Sequence, residues 1–346
     1  MRCSRSRTSQ VNSSQSTIPL ATSSKEHDVR VCPLCAATQI SEFMKAPDRF
    51  HLRQEQYTLL RCSTCSCVWL ASPPRPEQMG IHYSEDYHKA ITSTAEHNDG
   101  SRWQAHRALI ARYKQGGVIL DIGCSSGSFL ASMNIGRWEL HGIELDSGTA
   151  ERAKLTSGAD VFVGDIVDAP FLANSFDVIT AFDVLEHTYQ PREVLERVLY
   201  WLRPGGIFFA RLPNIDSWEA RMFRTFWYGL ELPRHLFHFS LRSMKYLVAE
   251  VGASDSCITA SWTGSHAGHS IRYVYEAFLL RLGLSPIPMA KARRANLAWR
   301  VVSKAFWLSL VVPLSHIASA ANAGVVIEVI LTKPMTESSE AASYTG

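Results

Sequence analysis

The sequence has no long run of lysine or arginine, and 35 basic against 32 acidic side chains leave a formal charge of only +3 over 346 residues. Nucleic-acid surfaces draw much of their affinity from clustered cations, so no nucleic-acid partner is expected. A secretory leader is not expected either, since the first 29 residues contain no acid before Glu26 and no continuous apolar stretch. Residues 1–29 are rich in Ser, Thr and Arg without apolar periodicity, and read as a disordered tail, with an organellar transit peptide as the weaker alternative. Charge is absent again from Ala305 to Ile327, a length that in principle spans a bilayer. Pro313, His316, Asn322 and three serines interrupt it, and Gly324 splits a helix-like part from the β-branched run VVIEVILTK. A buried helix followed by a core strand is expected. The alternative is a helix lying on a membrane surface, which would make a cytoplasmic protein membrane-associated.

What the chain does have is 46% hydrophobic and 19% charged residues, too apolar for disorder and enough for a packed core. Its length suits one α/β domain plus a smaller module. Six of the eight cysteines precede the α/β region, four of them as Cys32-Pro-Leu-Cys35 and Cys62-Ser-Thr-Cys65. Two CxxC knuckles about 26 residues apart form a zinc-ribbon pattern, because each short turn aims two thiolates at one tetrahedral ion. Structural zinc on Cys32, Cys35, Cys62 and Cys65 is therefore expected, ahead of a dithiol redox pair or disulfides. Cys67 lies in the apolar run Cys67-Val68-Trp69-Leu70 and reads as a buried thiol rather than a fifth ligand.

From Val118 onward, strand-like and helix-like segments alternate, which implies a doubly wound parallel sheet. The stretch VILDIGCSSGSF runs from a strand ending at Asp121 through Gly123 and Gly127 into a helix, so the backbone can approach a ligand closely. A second strand, Leu140 to Ile143, ends in Glu144, where an acid can accept hydrogen bonds from both hydroxyls of a ribose. Gly164-Asp165 follows a third strand, Val161 to Val163. Phe176 to His187 supplies a fourth strand, and a helix leads on to Leu202-Arg203-Pro204-Gly205-Gly206. The glycines alone would also suit a nicotinamide-dependent dehydrogenase; the order of acids and strands points away from one.

Residues 117–212 resemble class I S-adenosylmethionine-dependent methyltransferases of the seven-strand, Rossmann-like type, including ubiquinone-biosynthesis O-methyltransferases. The resemblance implies that Asp121, Gly123 and Gly127 line the methionine side of S-adenosyl-L-methionine, Glu144 the ribose and Asp165 the adenine. Phe182 joins this cofactor set. The chain departs at Ser125, where the family motif has glycine, so this residue needs an allowed φ in an altered loop. The segment Cys62 to Tyr87 is similar to the zinc-ribbon front end of bacterial methyltransferases of sugar and cell-envelope pathways, and Leu212-Pro213-Asn214 and Trp227 to Ser240 resemble the same group's C-terminal half.

The expected organisation is a zinc ribbon at 30–72, a helical connector at 73–115, the methyltransferase domain at 116–335 with insertions at about 213–240 and 265–322, and a flexible tail at 336–346. Methyl transfer needs an aligned acceptor and, for many acceptors, a base. His187, at the ligand edge of the sheet, and His235 and His238 in the aromatic and cationic insertion are the catalytic candidates. Asp183 and Glu186 are expected to cap the following helix or pair with arginines, although related quinone methyltransferases use a similar cluster to hold a divalent metal. Tyr83 and Tyr87 are candidates for closing the cofactor pocket, with packing as the plainer role. The function expected is methylation of a small-molecule acceptor, such as a sugar or envelope precursor. The alternatives are a quinone-like acceptor, or a zinc-dependent interaction protein built on a methyltransferase scaffold.

Overall fold

The computed structural model describes residues 31–83, 101–134, 137–253, 255–261, 267–284, 309 and 312–335. The expected tails at 1–29 and 336–346, Tyr87, and parts of the connector and of the second insertion lie outside the described residues.

The front of the chain forms three antiparallel strands, β1 (Ile40–Pro47), β2 (Gln56–Cys62) and β3 (Val68–Leu70). A short helix α1 (Pro76–Met79) and a 3₁₀ turn at Gly80–His82 follow, and then α2 (Ser101–Ile110). The α/β part runs β4 (Gly116–Ile122), α3 (Ser128–Met133), β5 (Arg137–Glu144), α4 (Ser147–Ser157), β6 (Asp160–Val163), β7 (Phe176–Phe182), α5 (Pro191–Trp201) and β8 (Leu202–Pro213). After β8 come α6 (Trp218–Phe223), the two-residue strand β9 (Phe237–His238), α7 (Leu241–Glu250), β10 (Asp255–Ser261), α8 (Ala267–Arg281), α9 (Val312–Ala320) and β11 (Val326–Thr332).

Seven strands make one sheet in the order β10-β11-β8-β7-β4-β5-β6. Neighbours from β8 to β6 are parallel, whereas β11 runs antiparallel to both β8 and β10. Chain order reverses between β4 and β7, and such a switch point opens a ligand crevice at the strands' C-terminal ends. Ile119, Leu120 and Ile122 on β4 and Val178 to Ala181 on β7 are all buried, as expected of central strands covered on both faces. Helix α5 starts with Pro191 at its first turn and turns Val194, Leu195, Val198 and Trp201 onto one sheet face. Asp146 caps α4 by accepting from the Thr149 amide at 2.7 Å, and Gly158 in the left-handed region ends it.

The sheet of the cysteine module takes its fourth strand from far along the chain, in the order β1-β2-β3-β9, because Val68 and Trp69 pair with His238 and Phe237 of the later insertion. The uncharged segment does end in a core strand, β11, but α9 before it exposes Leu314 and Ile317 and is not a buried helix. Among the described residues no helix is long and apolar enough to cross a membrane.

Candidate functional site

Three carboxylates stand at the C-terminal ends of three adjacent strands. Asp121 closes β4 and is buried, accepting from the Thr180 hydroxyl of β7 at 2.7 Å. Burial pushes its carboxyl up to about 7; the Thr180 hydrogen bond opposes the shift and Glu144 adds to it. Glu144 closes β5 and accepts from the amides of Ser125, at 3.0 Å, and Asp146, at 3.1 Å, so it ties the glycine loop to the second strand. Asp165 follows β6, is exposed, and accepts from the Val167 amide at 3.1 Å.

Between the first two acids, Gly127 has φ +76°, and a Cβ there would lie 2.8 Å from the Ala153 carbonyl oxygen, so only glycine lets α3 and α4 close together. Gly123 has φ +66° and faces Val184 at 2.7 Å in the same sense. Ser125 stands at φ +50°, so the loop keeps the left-handed turn without a glycine. Phe182 lies among Phe129, Trp103 and Phe209, at ring-centre distances of 4.8, 5.2 and 5.6 Å, and thus packs the floor of this region.

The three histidines come together. The rings of His187 and His235 lie 4.5 Å apart, and those of His235 and His238 6.0 Å apart. His187 sits in the 3₁₀ turn Leu185–His187 just beyond β7, not on the strand itself. Its Nδ1 donates to the Arg234 carbonyl at 3.1 Å and lies 3.1 Å from the Tyr83 hydroxyl, leaving Nε2 as the lone-pair nitrogen. Burial, then His235, pulls His187 down to about 3, so it is neutral near pH 7. His238 is likewise drawn down to about 3 by burial, with Nε2 donating to the Leu230 carbonyl at 3.0 Å. His235 directs Nδ1 to the Gly229 carbonyl at 2.9 Å and Nε2 to Glu231 at 3.3 Å. Burial alone would raise Glu231, but the hydrogen bond from His235 and the charges of His235 and Arg234 hold it well below the usual carboxylate range.

Glu186 overturns its expected role. The N-terminus of α5 is flanked by Gln190 with no side-chain cap, and Glu186 is buried with neither oxygen hydrogen-bonded among the described residues. Burial and the nearby Asp183 push its carboxyl well above the usual range. One ligand atom each of Glu186, His187 and His235 fall within 4.8 Å of one another.

Within the insertion Trp227, Phe237, Phe239, Arg234, His235 and His238 are buried, whereas Arg221 and Arg224 are exposed. Arg234 reaches back to the front module, with its guanidinium 3.7 Å from Asp48, both side chains fully buried. Asp48 also accepts from the amides of Phe50 and His51 and from the His51 ring. Glu231, four residues before His235 in ELPRH, was open to discovery from spacing; no pattern announces Asp48 or Thr180.

The four knuckle cysteines converge. Cys32 and Cys65 sulfurs lie 3.6 Å apart, those of Cys35 and Cys62 3.5 Å, and all four fall within 4.8 Å of one another. Thiolates at ~2.3 Å from one tetrahedral ion would stand about 3.8 Å apart, so the set needs little adjustment to hold zinc. The hydrogen bond from Cys65 draws the Cys32 thiol down to about 5, and the same pairing, with burial, pushes Cys65 far up. Cys67 is buried outside the set, and its thiol is raised by burial.

A seven-strand sheet with the last strand antiparallel, and acids at the ends of β4, β5 and β6, match the class I methyltransferase architecture. Residues 95–256 match the family described as a methyltransferase domain, and the chain carries a class I S-adenosylmethionine-dependent methyltransferase domain. It is similar to the ubiquinone biosynthesis O-methyltransferase of Paraburkholderia phymatum, 36% identical over 108 residues, covering 29% of this chain and 47% of the relative. The mitochondrial enzyme of that name from Candida albicans is 34% identical over 118 residues, covering 31% and 36%. The chain thus spans about half or less of the length of these curated relatives. Among solved structures, a chain of the Haloferax volcanii complex with the Trm112 methyltransferase activator is 14% identical with TM-score 0.46, covering 74% of this chain and 98% of that one. A Thermotoga maritima S-adenosylmethionine-dependent methyltransferase is 15% identical with TM-score 0.45, covering 74% and 99%. At those scores it is this chain's own strand order that defines the fold.

Proposed function

We propose that this protein transfers a methyl group from S-adenosyl-L-methionine to a small-molecule acceptor, with zinc held structurally by Cys32, Cys35, Cys62 and Cys65. The observation carrying the reading is the row of three acids, Asp121, Glu144 and Asp165, on successive strand ends around the Gly123–Gly127 turn. That donor set suits the cofactor's parts: Asp121 for the ammonium of the methionine end, Glu144 for the ribose hydroxyls and Asp165 for the adenine amino group. The bound cofactor supplies an electrophilic sulfonium methyl. His187, held neutral with its Nδ1 on the Arg234 carbonyl, offers the Nε2 lone pair as a hydrogen-bond acceptor that orients the acceptor's hydroxyl toward the methyl group. His235 and His238 back this ring in the buried cluster. A sugar or envelope precursor is the acceptor class favoured, on the aromatic and cationic make-up of the insertion.

Isothermal calorimetry tests the cofactor assignment. The intact protein is expected to bind S-adenosylmethionine saturably, and Glu144→Ala to bind at least tenfold more weakly while still melting cooperatively. No binding by the intact protein would overturn the reading.

A second reading, O-methylation of a quinone-like phenol, is favoured by the buried, unpartnered Glu186 carboxylate beside His187 and His235, a donor set for a divalent ion. Calorimetric titration with Mg²⁺ or Mn²⁺ that gives no heat in the zinc-loaded protein would remove it.

A further inference from the structure

At the seam between β1–β2 and the segment after β8 lies a cavity of about 470 Å³, a size ordinary for a small-molecule site. Its apolar wall is Phe43, Met44 and Ile215. Its cations are Arg61, Arg221 and Arg224, and the lining holds one acid, Asp216, among the described residues. Asp216 is taken: Arg61 donates to both its oxygens, at 2.8 and 3.1 Å. Arg221 and Arg224 form no ion pair among the described residues, so two positive charges face the space uncompensated. The backbone at Arg224 is held at φ +51°, ψ −119°, a conformation that side-chain-bearing residues rarely adopt and that clusters at ligand sites. The loop is fixed there from the other wall: Arg49 donates to the Thr225 carbonyl at 2.7 Å and lies 3.8 Å over the Phe226 ring.

Two guanidinium forks without an ion pair among the described residues suit the oxygens of a phosphate group better than a single carboxylate, and the apolar side chains beside them, with Arg61 5.2 Å over the Phe43 ring, suit an apolar body. We propose that this cavity binds a phosphorylated small molecule, with the phosphate on Arg221 and Arg224 and a flat or apolar body against Phe43, Met44 and Ile215. As the handle of the acceptor, such a ligand deepens the methyl-transfer reading and rests on it only for the word acceptor.

Calorimetry on the full, zinc-loaded chain tests the site, with inorganic pyrophosphate and uridine diphosphate as probes; uridine avoids competition for an adenine pocket. Uridine diphosphate is expected to bind at least tenfold more tightly than pyrophosphate. The double variant Arg221→Ala/Arg224→Ala should lose at least tenfold for both probes, and Phe43→Ala should erase the difference between them. Each variant should keep the parent's zinc content and its cooperative melting transition, which shows that it is folded. Failure of both probes to bind, or binding unchanged by the double variant, would overturn the site; equal affinity for the two probes would overturn its apolar half. Loss of cofactor binding by the intact chain would instead count against methyl transfer and leave this site standing.

Discussion

The cofactor edge of the large sheet and the seam between the cysteine module and the insertion are built in opposite ways. At the edge, Glu144 bonds two backbone amides within 19 residues of itself, and Asp165 bonds one two residues on. Across the seam, Arg49 meets Thr225, Arg61 meets Asp216, and Asp48 meets Arg234, all from distant parts of the chain. Local bonds leave the edge carboxylates half-open to a ligand. The long-range pairs of the seam, fully buried at Asp48–Arg234 and about one-third exposed at Arg61–Asp216, instead hold the insertion to the front module beside the β3–β9 backbone pairing. The contrast teaches that cofactor binding should survive damage to the seam, while the histidine cluster should not.

The largest test of that contrast is removal of the metal. Purified protein is expected to hold one zinc per chain, and structural zinc of this type carries about 10 to 16 kcal/mol of apparent binding free energy in small modules. Stripping it with a chelator, or by Cys32→Ser with Cys65→Ser, should free β3 and so β9. Amide exchange at Leu236 to His238 should then rise at least a hundredfold, read by mass spectrometry. S-adenosylmethionine affinity should stay within about threefold. An equal collapse of cofactor binding would show that edge and seam are a single unit.

A smaller break is Asp48→Ala, which takes the nearer carboxylate from the buried Arg234 guanidinium and leaves Glu231 at 4.0 Å among the described residues. Removing one partner of a buried pair costs about 3 to 5 kcal/mol, and chemical denaturation should show a loss of that order. Asp48→Asn keeps acceptor capacity for the Phe50 and His51 amides and should lose less. A loss below about 1 kcal/mol in Asp48→Ala would mean that the seam is held by its backbone pairing alone.

The same division decides what the amino-acid sequence made legible. Strand ends, glycine turn and acids of the sheet edge all fall in one stretch of chain, so spacing exposes them, and β11 lies within one residue of each end of the run VVIEVILTK. The cysteine knuckles were readable for the same reason. The seam was not. Nothing local to Asp48 says that it faces Arg234, and a two-residue strand such as β9 has too short a period to register. Glu186 was misread because an acid just before a helix ordinarily caps it, and only the packing of Leu185 and of the Leu236 amide on the Glu186 carbonyl shows the side chain turned inward.

The smallest effect sharpens the edge itself. Asp121 has its folded pKa raised to about 7 from 3.8, chiefly by burial. An unfolded chain releases this proton near pH 4, so between about 4 and 7 the folded state holds the extra proton. Stability therefore falls as pH rises through that window and levels off above 7. A shift of this size corresponds to on the order of 4 kcal/mol, and Asp121→Asn, which can still accept from Thr180, should remove the decline. Denaturant midpoints at pH 5, 6, 7 and 8 would show it as a flatter curve in the variant. Cofactor binding should move the other way. A bound ammonium favours the carboxylate, so S-adenosylmethionine affinity should rise between pH 6 and 8 in the parent chain and stay low and flat in Asp121→Asn. A pH-independent affinity in the parent would place the ammonium elsewhere, and the strain of burying Asp121 would then serve packing rather than the ligand.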